Sequence, residues 1–351
     1  MNHYEKHVSQ ESYEQHKQGF IPFLICSVDT RAFEDVRRLQ QSDVIADVSC
    51  SHNEEFNGNP TQREQVNIKL ADFITAHQAL SANQDHWLLH SGLSLYLSQC
   101  CLYAADSAAI QVPYPELLQH LPSCLQGEVI DAVNVWMNLQ ESKSSCHYDA
   151  NHNLLVMVQG HKTAFLIPPS LTYLVKPVSC IAEAHNHSNL SCLEIEQIVS
   201  QYSAETYVVS MGKGDALFIP EGWWHMVYST PATYAVNIWY KSNLYPLISS
   251  YNKMLPYIIR SAVNAYVSED VNRTVQMNLS VNGQSCEEDL MIIVGRAISQ
   301  DCKEEELLTA CYAPLISADL GRLQSKWIPF AQHVSTLSRE CNYKNGLQYF
   351  L

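Results

Sequence analysis

Apolar residues along this chain recur in two rhythms. From 21 to 243 most of them fall in short runs with the two-residue period of strands, and beyond 244 they follow helical spacing. Residues 21–26 read as a first strand, after which Asp29 or Thr30 can cap a helix carrying Phe33, Val36 and Leu39 on one face. A strand at 44–48, a polar loop at 51–65 with Gly58 and Pro60, and a strand running into a helix at 66–74 follow. Tyr96-Leu97-Ser98-Gln99 lies in an apolar strand, and Pro115 starts a short helix to 121. In 133–139, Trp136 and Asn138 share one face while Val133, Val135 and Met137 share the other.

Two apolar runs come next, 153–160 closed by Gly160 and 162–167 stopped by Pro168 and Pro169. Residues 170–205 lose the strand rhythm and read as a polar loop, which resumes as strand from Thr206. Gly212-Lys213-Gly214 precedes a strand and not a helix, so it reads as a hairpin turn and not a phosphate cradle. The last strand, 233–240, alternates Asn237 and Trp239 with Val236 and Ile238. The expected organisation is a polar N-terminal tail (1–20), a mainly β domain with helices (21–243) and a C-terminal helical region (244–351). In that last region Leu247, Ile248, Tyr251, Leu255, Ile258, Ile259, Ala262 and Tyr266 recur at helical spacing around Pro256, and Ser285-x-x-Glu288 reads as a capping box. With Met291, Ile292 and Ile293 these side chains need cover, so a homodimer through this region is the expectation.

Composition changes the picture in three ways. With 46% hydrophobic and 16% charged residues among 351, the chain is globular. Its net charge of −15 argues against a sequence-independent grip on nucleic acid. No apolar run reaches the ~18 residues of a membrane span and no signal peptide opens the chain, so cytosol or nucleus is the expected compartment. The twelve cysteines are scattered without a Cys-x-x-Cys, which favours reduced and buried thiols.

Candidate chemistry centres on Cys146-His147-Tyr148-Asp149 and, some eighty residues on, Trp223-Trp224-His225. Residues two apart on a strand point the same way, so one strand can present His147 and Asp149 while His225 comes from a facing strand. Two imidazoles and a carboxylate on one side of a metal leave its other side open, the arrangement of mononuclear non-haem iron sites. His185-Asn186-His187 lacks a third donor at usual spacing and reads as a solvated loop. Lys162, opening an otherwise apolar strand, implies either a bound anion or a strand end in solvent, because an unpaired buried ammonium is costly.

Gly214, five residues, Pro220-x-Gly222, two residues and His225 resemble the second cupin motif, with Ser229 where that motif ends in Asn. Together with His147-x-Asp149 and Lys162, this is similar to the JmjC-type (cupin-like) Fe(II)- and 2-oxoglutarate-dependent oxygenases. The likeness is greatest to the hydroxylase-like branch that includes the asparaginyl hydroxylase of the hypoxia factor. It runs from about residue 20 to 243 and is strongest over 133–169 and 206–240.

The resemblance implies a double-stranded β-helix, a jelly-roll relative, preceded by N-terminal α/β elements. It implies Fe(II) on His147, Asp149 and His225, with 2-oxoglutarate and O₂ as co-substrates and a protein or peptide as substrate. It assigns Lys162 to the distal carboxylate of 2-oxoglutarate, supported by the Ser144 hydroxyl and with Asn153 hydrogen-bonding nearby. It gives Tyr96 either a bond to the same carboxylate or a plain core role, and lines the pocket with Trp136, Asn237 and Trp239. The metal motif is His-x-Asp where many lysine demethylases of the family carry His-x-Glu, which tilts the expectation toward protein hydroxylation. Demethylation of lysine or arginine, hydroxylation of a tRNA base and a silent cupin-like scaffold are the alternatives.

Overall fold

The structure, a computed structural model, describes residues 10–34, 37–40, 43–57, 63–178 and 184–240, with Tyr257. The helices and dimer face expected within 244–351 lie outside the described residues. Those that are described fall into two units, one of 10–166 with 199–240 and another of 167–198 with Tyr257.

In the larger unit, part of the expected polar tail is helix α1 (Gln10–Gly19). One aromatic anchors it: Tyr13 is buried, and its hydroxyl lies 2.6 Å from that of Tyr240. Strand β1 (Phe23–Ile25) follows. The helix expected after Thr30 is split into a 3₁₀ turn, Arg31–Phe33, and the short α2 (Arg37–Gln40). Thr30 makes no side-chain cap bond, its hydroxyl donating to Glu34 Oε1 at 2.9 Å, whereas Asp29 Oδ1 accepts from Arg31 N at 3.1 Å, the cap the sequence offered at Asp29. Then come β2 (Ile45–Ser51), β3 (Glu55–Phe56), β4 (Gln65–Lys69) and α3 (Leu70–Ser81).

β5 (Ser94–Ala104), β6 (Ile130–Asn138), β7 (Ser142–Ser144), β8 (His152–Gln159) and β9 (Lys162–Ile167) form the middle of the chain. After α4 (Cys192–Gln201) come β10 (Tyr207–Met211), β11 (Ala216–Ile219), β12 (Trp224–Ser229) and β13 (Tyr234–Tyr240). They make an eight-stranded sheet, ordered β1-β11-β8-β13-β6-β5-β2-β4, and a five-stranded one, ordered β10-β9-β12-β7-β3. This is the double-stranded β-helix, and no helix among the described residues is long and apolar enough to cross a membrane.

The strand period sorts side chains between two cores. From β8, Leu154, Val156 and Val158 join Val133, Val135, Met137, Val236 and Ile238 and the apolar face of α3 in one cluster. The alternate residues Leu155 and Met157 pack with Ala164, Leu166, Val209, Met211 and Leu217 in a second cluster. β8 is thus apolar on both faces and carries no polar position between Leu154 and Val158. β6 and β13 differ: the positions alternating with their apolar face are Asn134, Trp136, Asn138, Asn237 and Trp239. Sharing one face of neighbouring strands, these give the sheet a polar, aromatic patch. Gly160, with φ +76°, closes the β8–β9 turn, and a Cβ there would sit 2.5 Å from Thr233 Oγ1.

In the smaller unit the described elements are a 3₁₀ turn, Pro169–Leu171, a bridge pairing Pro177 with Ser188, and the first residues of α4. The 170–205 segment is therefore not all loop. Ser191 Oγ donates to Glu194 Oε2 at 2.8 Å and accepts from the Glu194 N–H, a Ser-x-x-Glu capping box legible in the sequence and missed there.

Candidate metal centre

His147 and Asp149 do not share a regular strand. Residues 145–151 are irregular, and the backbone of His147 pairs with that of His225 alone. His147 N donates to His225 O at 3.0 Å and His225 N returns a bond to His147 O at 2.7 Å. The chain leaves the ladder after that pair because the Asp149 carbonyl accepts from Gly222 N at 2.9 Å, in the Pro220-Glu221-Gly222 turn. A hydrogen-bonded antiparallel pair places its side chains on the same side of the sheet, so the imidazoles meet with centroids 4.4 Å apart.

His147 Nδ1 lies 2.9 Å from the Ser145 carbonyl and His225 Nδ1 lies 3.0 Å from the Trp223 carbonyl. A carbonyl only accepts, so each Nδ1 carries a proton and leaves Nε2 as the nitrogen that can bind a metal. His147 Nε2 is 3.9 Å from Asp149 Oδ1, and His225 Nε2 is 3.8 Å from Asp149 Oδ2. The three donor atoms lie within 4.8 Å of one another, and no other such cluster of His, Cys, Asp or Glu occurs among the described residues. Burial, and then the neighbouring His147, lowers the His225 pKa to about 4, so its ring is neutral as ligation requires. Two imidazole nitrogens and one carboxylate suit a divalent transition metal such as Fe(II).

The polar patch on β6, β8 and β13 converges on Asp149. Its Oδ2 accepts from Asn153 Nδ2 and from Trp239 Nε1, each at 3.1 Å. Asn153 Oδ1 accepts from Asn237 Nδ2 at 3.4 Å, and Asn237 Oδ1 accepts from Trp136 Nε1 at 2.8 Å and Asn134 Nδ2 at 3.1 Å. The structure thus brings Asn153 and Trp239 to Asp149 directly and Asn237 and Trp136 to it through Asn153, and adds Asn134, which the sequence reading passed over.

Lys162 is 3% exposed, which rules out the strand end in solvent. Its Nζ donates to Ser229 Oγ at 2.6 Å and lies 5.5 Å from the centre of the Tyr96 ring. No carboxylate among the described residues pairs with it, and burial alone lowers its pKa to about 7. Tyr96 is buried as well, which pushes its phenol well above the ordinary range, and its ring packs on Trp136 at 5.8 Å and Phe56 at 5.3 Å. Phe56 belongs to β3, which pairs in parallel with β7 inside the stretch read as loop. Ser144 Oγ accepts from Val227 N at 3.0 Å, which ties the start of the metal segment to β12. Ser229, read in the sequence only as a departure from the cupin motif, is the Lys162 partner.

His187 is 8% exposed, so the His185-Asn186-His187 segment is not simply solvated. Among the described cysteines, Cys50, Cys100, Cys101 and Cys124 are free thiols.

A family model described as "Cupin-like domain" matches residues 5–244. The Lysine-specific demethylase JMJ31 of Arabidopsis thaliana is 33% identical over 208 residues, which is 54% of this chain and 38% of that protein. The HSPB1-associated protein 1 homolog of Danio rerio is 30% identical over 115 residues, 31% of this chain and 26% of that one. The Bifunctional peptidase and (3S)-lysyl hydroxylase JMJD7 of Homo sapiens is 23% identical over 196 residues, 49% of this chain and 61% of its own length. The match spans less than two thirds of each of these relatives.

Proposed function

The chain belongs to the cupin-like domain family, and we propose that within it this protein is an Fe(II)- and 2-oxoglutarate-dependent oxygenase that hydroxylates a protein side chain. The observation that carries this reading is the convergence of His147 Nε2, Asp149 and His225 Nε2 within 4.8 Å, together with a buried lysine held by Ser229 of the strand that carries His225 and paired with no carboxylate among the described residues. Those three residues would hold the iron. Bound there, Fe(II) with 2-oxoglutarate and O₂ supplies the oxidising chemistry that puts one oxygen atom into a C–H bond and leaves succinate and CO₂.

The chain's own residues bind and orient. Lys162 supplies a positive charge for the distal carboxylate of the co-substrate, where a charge-assisted bond offsets the desolvation of the ammonium. Ser229 Oγ holds that ammonium in place at 2.6 Å. Tyr96 and Trp136 wall the same space with aromatic surface, 5.8 Å apart, and keep bulk water from it. The backbone-held Nδ1 protons of His147 and His225 keep both Nε2 atoms ready as ligands.

The test is succinate release from 2-oxoglutarate in the presence of Fe(II) and O₂, with mass spectrometry of candidate protein substrates. Gain of one oxygen is the expected product. No metal uptake and no succinate from the parent protein would end this reading. Demethylation is the second reading, favoured by the 33% identity to a protein named a lysine-specific demethylase. Loss of a methyl group, with formaldehyde, would establish it. The His-x-Asp motif leaves hydroxylation first.

A further inference from the structure

Among the polar side chains around Asp149, two are indoles whose donors cannot be turned around, Trp239 on the carboxylate itself and Trp136 farther along. An indole N–H donates and never accepts, whereas an Asn amide can present either end. Trp136 Nε1 lies 2.8 Å from Asn237, so the oxygen of that amide must face the indole. The Asn237 NH₂ then faces Asn153, whose own oxygen must receive it at 3.4 Å. The Asn153 NH₂ is left pointing at Asp149 Oδ2, 3.1 Å away. Asn134 also meets Asn237 Oδ1, at 3.1 Å, but its amide can turn to suit and does not set the direction.

The chain therefore has a polarity, with a fixed donor at one end and an acceptor-only carboxylate at the other. Asn134, Asn153 and Asn237 are all buried, so water does not compete for these bonds. The placement follows from register: Asn237 on β13 is opposite Asn134 on β6, and Trp239 on β13 is opposite Asn153 on β8.

We propose that Trp136 is a positioning residue which, acting through Asn237 and Asn153 and together with Trp239, orients the Asp149 carboxylate for metal binding. This rests on the reading of His147, Asp149 and His225 as the metal site. The two N–H donors on Oδ2, from Asn153 and Trp239, occupy that oxygen and fix the rotation of the carboxylate. Oδ1 is the oxygen left to bind the metal by itself. The resemblance would give these four side chains to the pocket lining and the co-substrate, whereas the geometry gives them to the metal carboxylate. Trp136 also packs on Tyr96, so the aromatic wall beside Lys162 meets the hydrogen-bonded chain to Asp149 at the Trp136 ring.

The test uses Co(II) as the probe, because its visible bands report the ligand geometry without turnover. Trp136→Phe keeps the aromatic packing and removes only the N–H that sets the polarity, while Trp239→Phe removes the direct donor. Loss of such outer partners weakens metal binding by about 10–100-fold. Both variants are expected to lose at least about tenfold in Co(II) affinity and to shift the cobalt bands, with Trp239→Phe the more affected. Unchanged affinity and bands in Trp136→Phe overturn the proposal, and so does weaker binding with unshifted bands, which marks general destabilisation. If Trp239→Phe fails to fold, Trp136→Phe decides by the same criterion. A parent protein that binds no Co(II) would instead defeat the metal-site reading itself, a separate outcome.

Discussion

Lys162→Met should make the protein more stable and less able to bind its co-substrate. In the parent, burial lowers the Lys162 pKa from 10.5 to about 7. A base whose folded pKa lies below its unfolded one opposes folding wherever the unfolded chain holds the proton more readily. The penalty is fully present below pH 7 and fades as pH rises from about 7 toward 10.5. At neutral pH a displacement of that size corresponds to roughly 4 kcal/mol. The variant gives up the bond to Ser229 Oγ, at a cost of about 1–2 kcal/mol, while methionine fills much the same volume. The net expectation is a gain of ~2 kcal/mol, or about 4–8 °C in melting temperature for a domain of this size. Between pH 7 and 9 about 2 kcal/mol of the parent's penalty disappears, so the gap between variant and parent should close. Urea unfolding at several pH values measures this directly. Adding 2-oxoglutarate to protein already saturated with Mn(II) should raise the melting temperature of the parent further and that of the variant much less. A variant less stable than the parent at pH 7, or a gap that widens with pH, would refute the picture of an uncompensated buried ammonium.

Two further outcomes are expected. Asp149→Ala removes one of three ligands and leaves the Asn153 and Trp239 donors without their acceptor, so metal uptake should be lost at a stability cost of about 1–3 kcal/mol; parent-like Fe(II) binding by calorimetry would show the site to be misassigned. Gly160→Ala forces φ +76° on a residue with a Cβ and drives that Cβ to 2.5 Å from Thr233 Oγ1, so urea unfolding should show a loss of about 2–4 kcal/mol, and a loss below about 0.5 kcal/mol would contradict the close approach.

Much of this was legible in the sequence, for a physical reason. Strands that bury one face alternate apolar with other residues, as β6 and β13 do, and a strand that buries both faces, such as β8, reads as a continuous apolar run. The polar residues that break the apolar set on β6 and β13 are those that build the site, so one pattern marked both fold and chemistry. What the sequence hid depends on contacts distant along the chain. Tyr13 makes a helix of a polar segment by reaching Tyr240, and β3 exists because two residues pair with β7 and Phe56 packs on Tyr96. The helix expected after Asp29 or Thr30 is broken into a 3₁₀ turn and the short α2, although Asp29 Oδ1 accepts from Arg31 N as a cap would. The direction of the chain from Trp136 to Asp149 needs the register of three strands, which no linear spacing encodes.

The reciprocal backbone pair between His147 and His225 has a bearing on metal exchange. The two histidines proposed as ligands face each other across an isolated backbone bridge, so their separation is decided when the chain folds and not when an ion arrives. A chelator should then strip the ion and leave the protein folded, unlike small zinc modules whose apo chains are disordered. Reloading would not have to wait for refolding. Which metal occupies the site in a cell then follows from supply and exchange rate, because the scaffold offers the same geometry to Fe(II), Mn(II) or Co(II) alike.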